Sequence, residues 1–320
     1  MSDLKVKLFG NRGSLPVSGK QYEEYGGNTF CHEVYSCCLP EGMRLVIDAG
    51  TGFLPFAQNA LAHGANDIRL LQTHYHNDHT QGALIAPCFY IKDLPIHIYG
   101  PEEHGVGPKQ VYNTIMSPPF HPKPFAEISS HIHFHPMRHP STMVMLIHPQ
   151  GGFKTMKRDE YERLIHRGRG IPFSRGQAFM VNECLLIEML FTDHPERTIG
   201  FRFTEGPTGL VFVEFTDNEV MAEIPLDTKK FLDGCNFLAL DAQYTAEEHQ
   251  NGKAGFGHGT GEFAAKVANE CLGIQKIGLV HHDPQSSDEK VELILEEAQN
   301  NLNRDDVQIF SVADLELIAA

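Results

Sequence analysis

Short apolar or alternating runs, separated by turn residues, recur along the chain and indicate β-strands. The segments with this pattern are 5–9, 29–37, 44–48, 68–71, 96–99, 185–191, 198–204, 210–215, 237–240, 277–280 and 307–311. Apolar positions at helical spacing indicate helices over 53–63, 262–271 and 288–301. Runs of strands with helices between and after them favour layered sheets flanked by helices, an α/β architecture, over a helical bundle or a β-barrel.

The strand pattern fails between residues 137 and 181. From Lys154 to Arg175 this stretch holds seven Lys or Arg residues against three acidic ones. Residues 158–167 predict a helix that ends at Gly168. We interpret 137–181 as an insertion within a single domain of residues 1–320. It is a lid beside the active site, a surface that pairs with another subunit, or a solvated insertion.

Composition narrows the classes of function. Hydrophobic residues make up 41% of 320 residues, which is enough apolar material for a sizeable core. The net charge of −15 disfavours a general nucleic-acid binder, whose affinity depends on clustered Lys and Arg. The sequence contains no signal core and no apolar run of membrane-spanning length. Seven cysteines without a Cys-x-x-Cys pair predict reduced thiols in a cytoplasmic protein.

Histidine is abundant, with 19 residues, and its densest group follows the strand predicted at 68–71. The segment His74-Tyr75-His76-Asn77-Asp78-His79 supplies three imidazoles and a carboxylate, which are common ligands of divalent metals in hydrolases. Alternate residues at a strand end point the same way, so His74 and His76 can share one ion. Asp78 and His79, past the turn, can serve a second. The alternative is a solvated polar loop, but three histidines and one aspartate at this spacing after a buried strand are rarely there only to contact solvent.

The pattern His-x-His-x-Asp-His resembles the signature of the metallo-β-lactamase superfamily, and other segments resemble that family's further motifs in the expected order. They are Ile47-Asp48-Ala49-Gly50-Thr51-Gly52, Phe191-Thr192-Asp193-His194-Pro195, Val213-Glu214-Phe215-Thr216-Asp217 and Leu279-Val280-His281-His282-Asp283-Pro284. The resemblance covers nearly the whole chain apart from 137–181. It implies a four-layer αβ/βα sandwich with an inserted lid-like segment.

The resemblance also implies a site for two divalent metal ions, zinc first, with manganese or iron accepting similar ligands. One ion would take His74, His76 and His194, and the other Asp78, His79 and His281, with Asp217 between them. We prefer His281 to His282 because the family histidine sits three residues before the proline. The resemblance implies that Asp48 orients a ligating imidazole by accepting a hydrogen bond from its free N–H. Alternatively, Asp48 only caps the glycine turn.

Four further segments indicate which branch of the family the chain resembles. Residues 9–16 and 25–29 resemble the amino terminus of ribonuclease Z and the phosphodiesterases, although Asn11 stands where a threonine is expected. Asp241-Ala242-Gln243-Tyr244-Thr245 and Gly257-His258-Gly259-Thr260 resemble late motifs of that group. By that resemblance His258 could donate a proton to a leaving oxygen while Asp241 orients its ring. Alternatively, His258 caps the helix that begins near Thr260.

These features predict a metal-dependent hydrolase of small anionic phosphodiesters, in which two ions activate a water molecule and Asp78 orients it. A lactone or thioester hydrolase would share the metal ligands. A non-hydrolytic di-metal sensor is disfavoured, because redox relatives usually carry Glu at the position of His76. Nucleic acid and membranes are not expected as partners, whereas a homodimer is possible. The alternating His131, His133 and His135 could bind zinc, but a solvated strand face is simpler.

Overall fold

Two β-sheets with helices on their outer faces are seen in a computed structural model, which describes residues 4–128 and 131–320. The strands among these residues are β1 Lys5–Gly10, β2 Cys31–Tyr35, β3 Met43–Ile47, β4 Asp67–Leu71, β5 Ile96–Pro101, β6 Ile132–Met137, β7 Met143–His148, β8 Gly152–Lys157, β9 Ile171–Pro172, β10 Ala178–Phe179, β11 Leu185–Phe191, β12 Ile199–Glu205, β13 Val211–Phe215, β14 Phe237–Asp241, β15 Lys276–Val280, β16 Gln308–Ser311 and β17 Glu316–Ala319. The α-helices are α1 Phe53–Ala62, α2 Pro108–Ile115, α3 Arg158–His166, α4 Leu226–Leu232, α5 Ala246–Glu248, α6 Gly261–Glu270 and α7 Asp288–Asn301.

The two sheets are built on a similar plan. The first has the order β17-β1-β2-β3-β4-β5-β6, and the second has the order β16-β15-β14-β13-β12-β11-β7-β8. In the first sheet β3 to β6 run parallel, and in the second β13 to β16 do. Each sheet therefore has a parallel half whose strand ends can present side chains at one edge.

Three apolar clusters hold the layers together. The central one packs the inner faces of both sheets, with Leu8 and Leu45 from the first sheet and Phe201 and Phe212 from the second, all at most 1% exposed. A second joins the first sheet to α1, and a third joins the second sheet to α6 and α7. Burial of these faces on both sides of each sheet gives the four layers, so the α/β architecture predicted from the apolar pattern is confirmed.

Most strands and helices lie where the pattern predicts them, with ends shifted by a few residues. The helix predicted over 53–63 is α1, and that over 288–301 is α7. The sequence pattern predicts no strand after 307–311, but β17 follows and pairs antiparallel with β1. Leu317 of β17 and Leu315, which precedes it, are more than half exposed, so this edge strand has no clear apolar alternation.

The segment 137–181 is also more regular than its sequence indicates. Here β7 and β8 form a hairpin that extends the second sheet beyond β11, and α3 packs on it. Val144, Leu146 and Ile171 form a fourth apolar cluster under this segment. The expectation that this stretch lacks strands was therefore wrong. The strand β7 is a mostly buried run, and in β8 Lys154 and Lys157 interrupt the apolar pattern. The side chain of Arg175 lies outside the described part, and the lid role remains a prediction.

Candidate metal centre

The side chains expected at the site converge where parallel strands of both sheets end. Asp48 follows β3, residues 74–79 follow β4, Asp217 lies two residues past β13, Asp241 ends β14 and His281 follows β15. Crevices at the carboxyl ends of parallel strands are the usual ligand sites of open α/β sheets. Both halves of the sandwich therefore contribute to one site.

Four side chains form the first potential ligand group. One ligand atom each from His74, His76, His194 and Asp217 lies within 4.8 Å of the others. Nε2 of His194 is 3.5 Å from Nδ1 of His76, and Nε2 of His74 is 3.6 Å from Oδ2 of Asp217. His74 and Asp217 are buried, whereas His76 is exposed, so this group opens to solvent on one side.

The second group contains Asp78, His79 and His281, which also meet within 4.8 Å. Asp217 joins it to the first group, because its Oδ1 is 3.3 Å from Nε2 of His79 and its Oδ2 is 3.4 Å from Nε2 of His281. Asp217 thus stands between the two groups, as the sequence predicts. His282 points elsewhere, with Nε2 3.2 Å from the carbonyl oxygen of Val312, so the structure brings His281 and not His282 into the site.

The backbone of three site residues lies in the left-handed region. The φ angles are 58° at Asp48, 50° at Asp217 and 64° at His281. Residues with a Cβ rarely adopt this conformation, which costs about 1–3 kcal/mol each and tends to occur at functional sites. Each residue lies at or just beyond the end of a strand, so the sharp turn directs its side chain into the space between the sheets.

Asp48 organises the second group from behind. Its Oδ2 accepts hydrogen bonds from Nδ1 of His79 and from Oγ1 of Thr73, both at 2.7 Å. Its Oδ1 accepts from the backbone N–H of Thr73 and from the amide of Gln72. With Nδ1 occupied in this way, His79 presents Nε2 to the other ligand atoms. The hydrogen bond expected of Asp48 from the sequence is present.

The donor set fits divalent cations. Nε2 of His74 and Oδ2 of Asp217 are buried and have no hydrogen-bond partner in the described part of the chain, which is costly unless an ion binds there. Burial lowers the pKa of His74 and of His194, which keeps both imidazoles neutral and able to bind a metal. Although burial acts against protonation, Asp217 and Asp78 raise the pKa of His79 and that of His281, the latter to about 9. The pocket between the carboxylates thus attracts positive charge.

His258 and Asp241 form a hydrogen-bonded pair beside this centre. Nδ1 of His258 lies 2.9 Å from Oδ2 of Asp241, and one ligand atom of His258 lies within 4.8 Å of those of Asp217 and His281. His258 is 8% exposed and stacks on His281 with ring centroids 4.8 Å apart. The alternative that His258 caps a helix does not hold, because Thr260 is the N-cap of α6 and accepts from the N–H of Phe263.

Two glycines let the backbone approach the ligand rings. A Cβ at Gly13 would lie 2.4 Å from Cε1 of His281, and one at Gly257 would lie 2.0 Å from Nδ1 of His194. Gly257 also has a φ of +91°. Its carbonyl oxygen lies 3.0 Å from Nδ1 of His194, which leaves Nε2 of that ring for the site. These glycines lie within the motifs, but their contacts with the ligand rings could not be predicted from the spacing.

Sequence reasoning also missed Ser14 and Glu219. The backbone N–H of Ser14 donates to Oδ2 of Asp78 across 2.6 Å. Glu219 contacts His249 through Oε1, while its Oε2 accepts from the backbone N–H groups of Gly255 and Gly257. Glu219 therefore holds the loop that leads to His258. In the sequence, Glu219 stands out only by its position two residues after Asp217, and no role was predicted for it.

A cavity of about 380 Å³ opens beside His74 and His76. Its wall combines the side chains of Tyr75, Pro101, Val106 and Val111 with four ionisable side chains, those of Glu103, His104, Glu196 and Arg197. Arg197 donates from Nε to Glu103 across 2.8 Å. Residues 137–181 contribute no described side chain to this wall, so the cavity is formed without the expected lid.

The alternating histidines around β6 do not form a further metal group among the described residues. His131 is buried and precedes the strand, while His133 is exposed. His97 of β5 stacks on both His133 and His135, with centroids 4.6 and 5.3 Å apart. The solvated face that we preferred thus describes His133, whereas His135 is partly covered by its neighbours.

No protein-family model matches the chain, and no curated protein matches it. Several solved structures match the chain in fold. The metallo-β-lactamase fold protein YhfI from Bacillus subtilis is 16% identical with a TM-score of 0.61 over 98% of both chains. A diphosphatase from the PhnP family is 14% identical with a TM-score of 0.57, over 98% of this chain and 97% of that one. Human tRNase Z, short form, is 17% identical with a TM-score of 0.55 over 98% of both. The chain has the metallo-β-lactamase fold.

The metallo-β-lactamase fold accounts for the four layers. Among the residues that the structure describes, no helix is both long enough and apolar enough to span a membrane.

Proposed function

We propose that the protein is a dinuclear metal-dependent hydrolase that acts on phosphodiesters. The observation that carries this proposal is the position of Asp217, whose Oδ2 lies 3.6 Å from Nε2 of His74 in the first group and 3.4 Å from Nε2 of His281 in the second. Two divalent ions, zinc first, fit this donor set, with His74, His76 and His194 on one side and Asp78, His79 and His281 on the other. Asp217 lies between them.

When bound, such ions supply an activated water molecule and stabilise negative charge on the reacting group. The protein's own contribution begins with Asp78. Its Oδ2 accepts from the N–H of Ser14 and lies 3.2 Å from Nε2 of His281, so the carboxylate has a fixed direction. A carboxylate held in this way can orient a nucleophilic water by accepting its proton in a hydrogen bond.

His258 would deliver a proton to the leaving oxygen. Asp241 accepts from Nδ1, so Nε2 of the ring is the atom that faces the substrate. A leaving alkoxide is a poor leaving group unless protonated, and a positioned imidazole typically contributes about 10²- to 10⁴-fold. The pair of His258 and Asp241 is what favours a phosphodiester with an alcohol leaving group.

The cavity favours a small substrate with an apolar part. Tyr75, Val106 and Val111 can cover an apolar or aromatic group, while Arg197 is paired with Glu103. Its volume of about 380 Å³ is in the range of small-molecule sites. Among similar structures are a diphosphatase and a tRNase Z. The net charge of −15 supports a small anion over a long nucleic acid.

Two other functions share the metal ligands. A thioester hydrolase would need the same groups but would gain less from His258, since a thiolate leaves without a proton. A lactone releases an alkoxide, which His258 could protonate as it would that of a phosphodiester. A non-hydrolytic sensor would need no proton donor. The buried hydrogen bond between His258 and Asp241 therefore supports the hydrolysis of an oxygen ester over thioester hydrolysis and over the sensor.

A single substrate screen separates these functions. Metal-replete protein is assayed with aryl and alkyl phosphodiesters, cyclic nucleotides, lactones and thioesters, and a chelator-treated sample serves as the control. The proposal expects turnover of phosphodiesters that disappears with the metal and returns when it is added back. Turnover confined to lactones or thioesters would replace the substrate class, and no turnover of any substrate by protein with two bound ions would support the sensor.

A further inference from the structure

Two cysteines and a carboxylate meet at the end of the sandwich opposite to the metal centre. One ligand atom each from Cys37, Cys38 and Glu205 lies within 4.8 Å of the others. Cys37 and Cys38 lie in the turn between β2 and β3, and Glu205 ends β12. Asp48 stands at the other end of β3, so the strand length separates the two places by roughly 15–25 Å.

We propose that Cys37, Cys38 and Glu205 form a third metal site, for a thiophilic divalent cation such as zinc. Thiolates and carboxylates are both zinc ligands, and three protein ligands leave one position for water. Adjacent residues of a strand point to opposite faces, whereas a turn lets neighbouring side chains reach one ion. The turn at Cys37 therefore lets the thiols of Cys37 and Cys38 reach the same ion, which a continuous strand would prevent.

The charge of Glu205 supplies a second, independent argument. Its side chain is fully buried, and its partners at hydrogen-bond distance in the described part of the chain are all neutral. Oε1 accepts from Oγ of Ser36 and the N–H of Cys37, and Oε2 accepts from Oγ1 of Thr208. The backbone N–H of Cys37 can only donate, so Oε1 of Glu205 is an acceptor. A buried carboxylate usually pairs with an opposite charge, and an ion that it ligates would place positive charge directly against it.

The site would join the two sheets. Cys37 and Cys38 belong to the first sheet and Glu205 to the second, so an ion bound by all three fastens the layers at the end remote from catalysis. Burial raises the pKa of Cys38 to about 12, so its thiol is protonated in the absence of an ion. Binding of one divalent ion by two thiols therefore releases two protons, which balances the charge transferred to the site.

Cadmium titration of the full chain tests this site directly. The protein is first supplied with only two equivalents of zinc per chain, for the dinuclear centre, so that the third site is left for cadmium. Cadmium bound to thiolates absorbs in the near ultraviolet by charge transfer, whereas cadmium bound to imidazole and carboxylate does not. We expect one equivalent of cadmium per chain to produce this absorption, release protons and raise the melting temperature. Because no activity is measured, the result is independent of the proposed hydrolase function.

The decisive variant is Cys37→Ser, because Cys37 is exposed and its replacement leaves the core in place. It should lose the charge-transfer absorption, one equivalent of bound metal and the rise in melting temperature. Cys271→Ser is the control for loss of a thiol elsewhere in the chain. Because Cys271 is buried in the core, this variant should start from a lower melting temperature, but it should keep the absorption, the equivalent of bound metal and the rise on binding. Absence of the absorption in the unmodified protein, or its persistence in Cys37→Ser, would overturn the proposal.

Discussion

Asp48 and His79 share a buried hydrogen bond of 2.7 Å that joins the end of β3 to the loop after β4. The same carboxylate accepts from Thr73 and Gln72, so it is held in place whether or not an ion is present. As a result, the imidazole has one orientation available, with Nε2 towards Asp217. The local structure thus fixes which nitrogen of His79 can bind a metal.

Replacing Asp48 with Asn should weaken metal binding and turnover. The amide cannot accept the N–H of His79 and the hydrogen bonds of Thr73 and Gln72 as the carboxylate does, and loss of such a partner typically costs about 10- to 100-fold. Metal affinity is measured by competition with a chelator, and kcat is measured on the best substrate. Asp93→Asn, at an exposed position, is the control. If affinity and rate were both unchanged, Asp48 would only stabilise the turn.

Metal-replete protein should contain two ions per chain, and Asp217→Ala should hold fewer. Removal of this carboxylate leaves each ligand group without its shared member, so both ions lose a ligand. Elemental analysis after gel filtration measures the content. Asp305→Ala removes an exposed carboxylate and should keep two ions. Fewer than one ion in the unmodified protein would contradict the dinuclear centre.

His258→Ala should keep both ions and lose turnover by about 10²- to 10⁴-fold, most for poor leaving groups. An activated aryl leaving group needs no proton, so its hydrolysis should fall least. The measurement is kcat for a series of diesters whose leaving groups differ in pKa. Asp241→Asn should show the same trend more weakly, because it disturbs only the orientation of the ring. An equal loss across the series would indicate that His258 has a structural role.

Glu219→Gln should lower turnover although Glu219 lies behind the ligands. The amide cannot replace the carboxylate that contacts His249 and accepts from Gly255 and Gly257, so the loop before His258 is held less firmly. A loss of about 10- to 100-fold is expected, as for other outer partners of metal ligands. Kinetics and metal content are compared with those of Glu223→Gln, an exposed control. Identical kinetics in the two variants would exclude a role for the loop.

The basic residues of 137–181 can be tested together by replacing Arg163, Arg167 and Arg169 with Ala. All three are exposed. A lid role predicts a weaker apparent affinity for phosphodiesters at low salt, a difference that fades as salt rises, with metal content intact. A smaller particle in gel filtration would instead indicate a subunit interface. Unchanged kinetics and size would show that the segment only extends the second sheet.

The sequence predicted ligand positions correctly in segments where a local pattern is compatible with only one arrangement of the backbone. The buried strand before His74 and the motif order along the chain located the ligand groups that the structure brings together. The choice of His281 over His282 rested on distance from a proline, and the structure places His281 in the site. In such segments the strand ends and the ligands are adjacent in sequence.

Other features depended on contacts between distant segments. Ser14 donates to Asp78 from 64 residues away, and Gly257 accepts from His194 across 63 residues. Such hydrogen bonds leave no local pattern of their own. In the missed hairpin, β8 lies at the edge of the second sheet, where the exposed Thr155 and Lys157 obscure a strand pattern. The neighbouring β7 is a mostly buried run from Met143 to His148, so its local pattern was present and was overlooked.

The left-handed backbone at Asp48, Asp217 and His281 has a consequence for how variants of this protein would be selected. Glycine adopts that conformation without strain, so glycine at any of the three positions would relieve backbone strain while deleting a group from the metal centre. Selection for thermal stability and selection for activity should therefore pull in opposite directions at these three positions. A library of variants screened only for thermal stability should therefore lose side chains of the metal centre, and with them activity, first at these three positions.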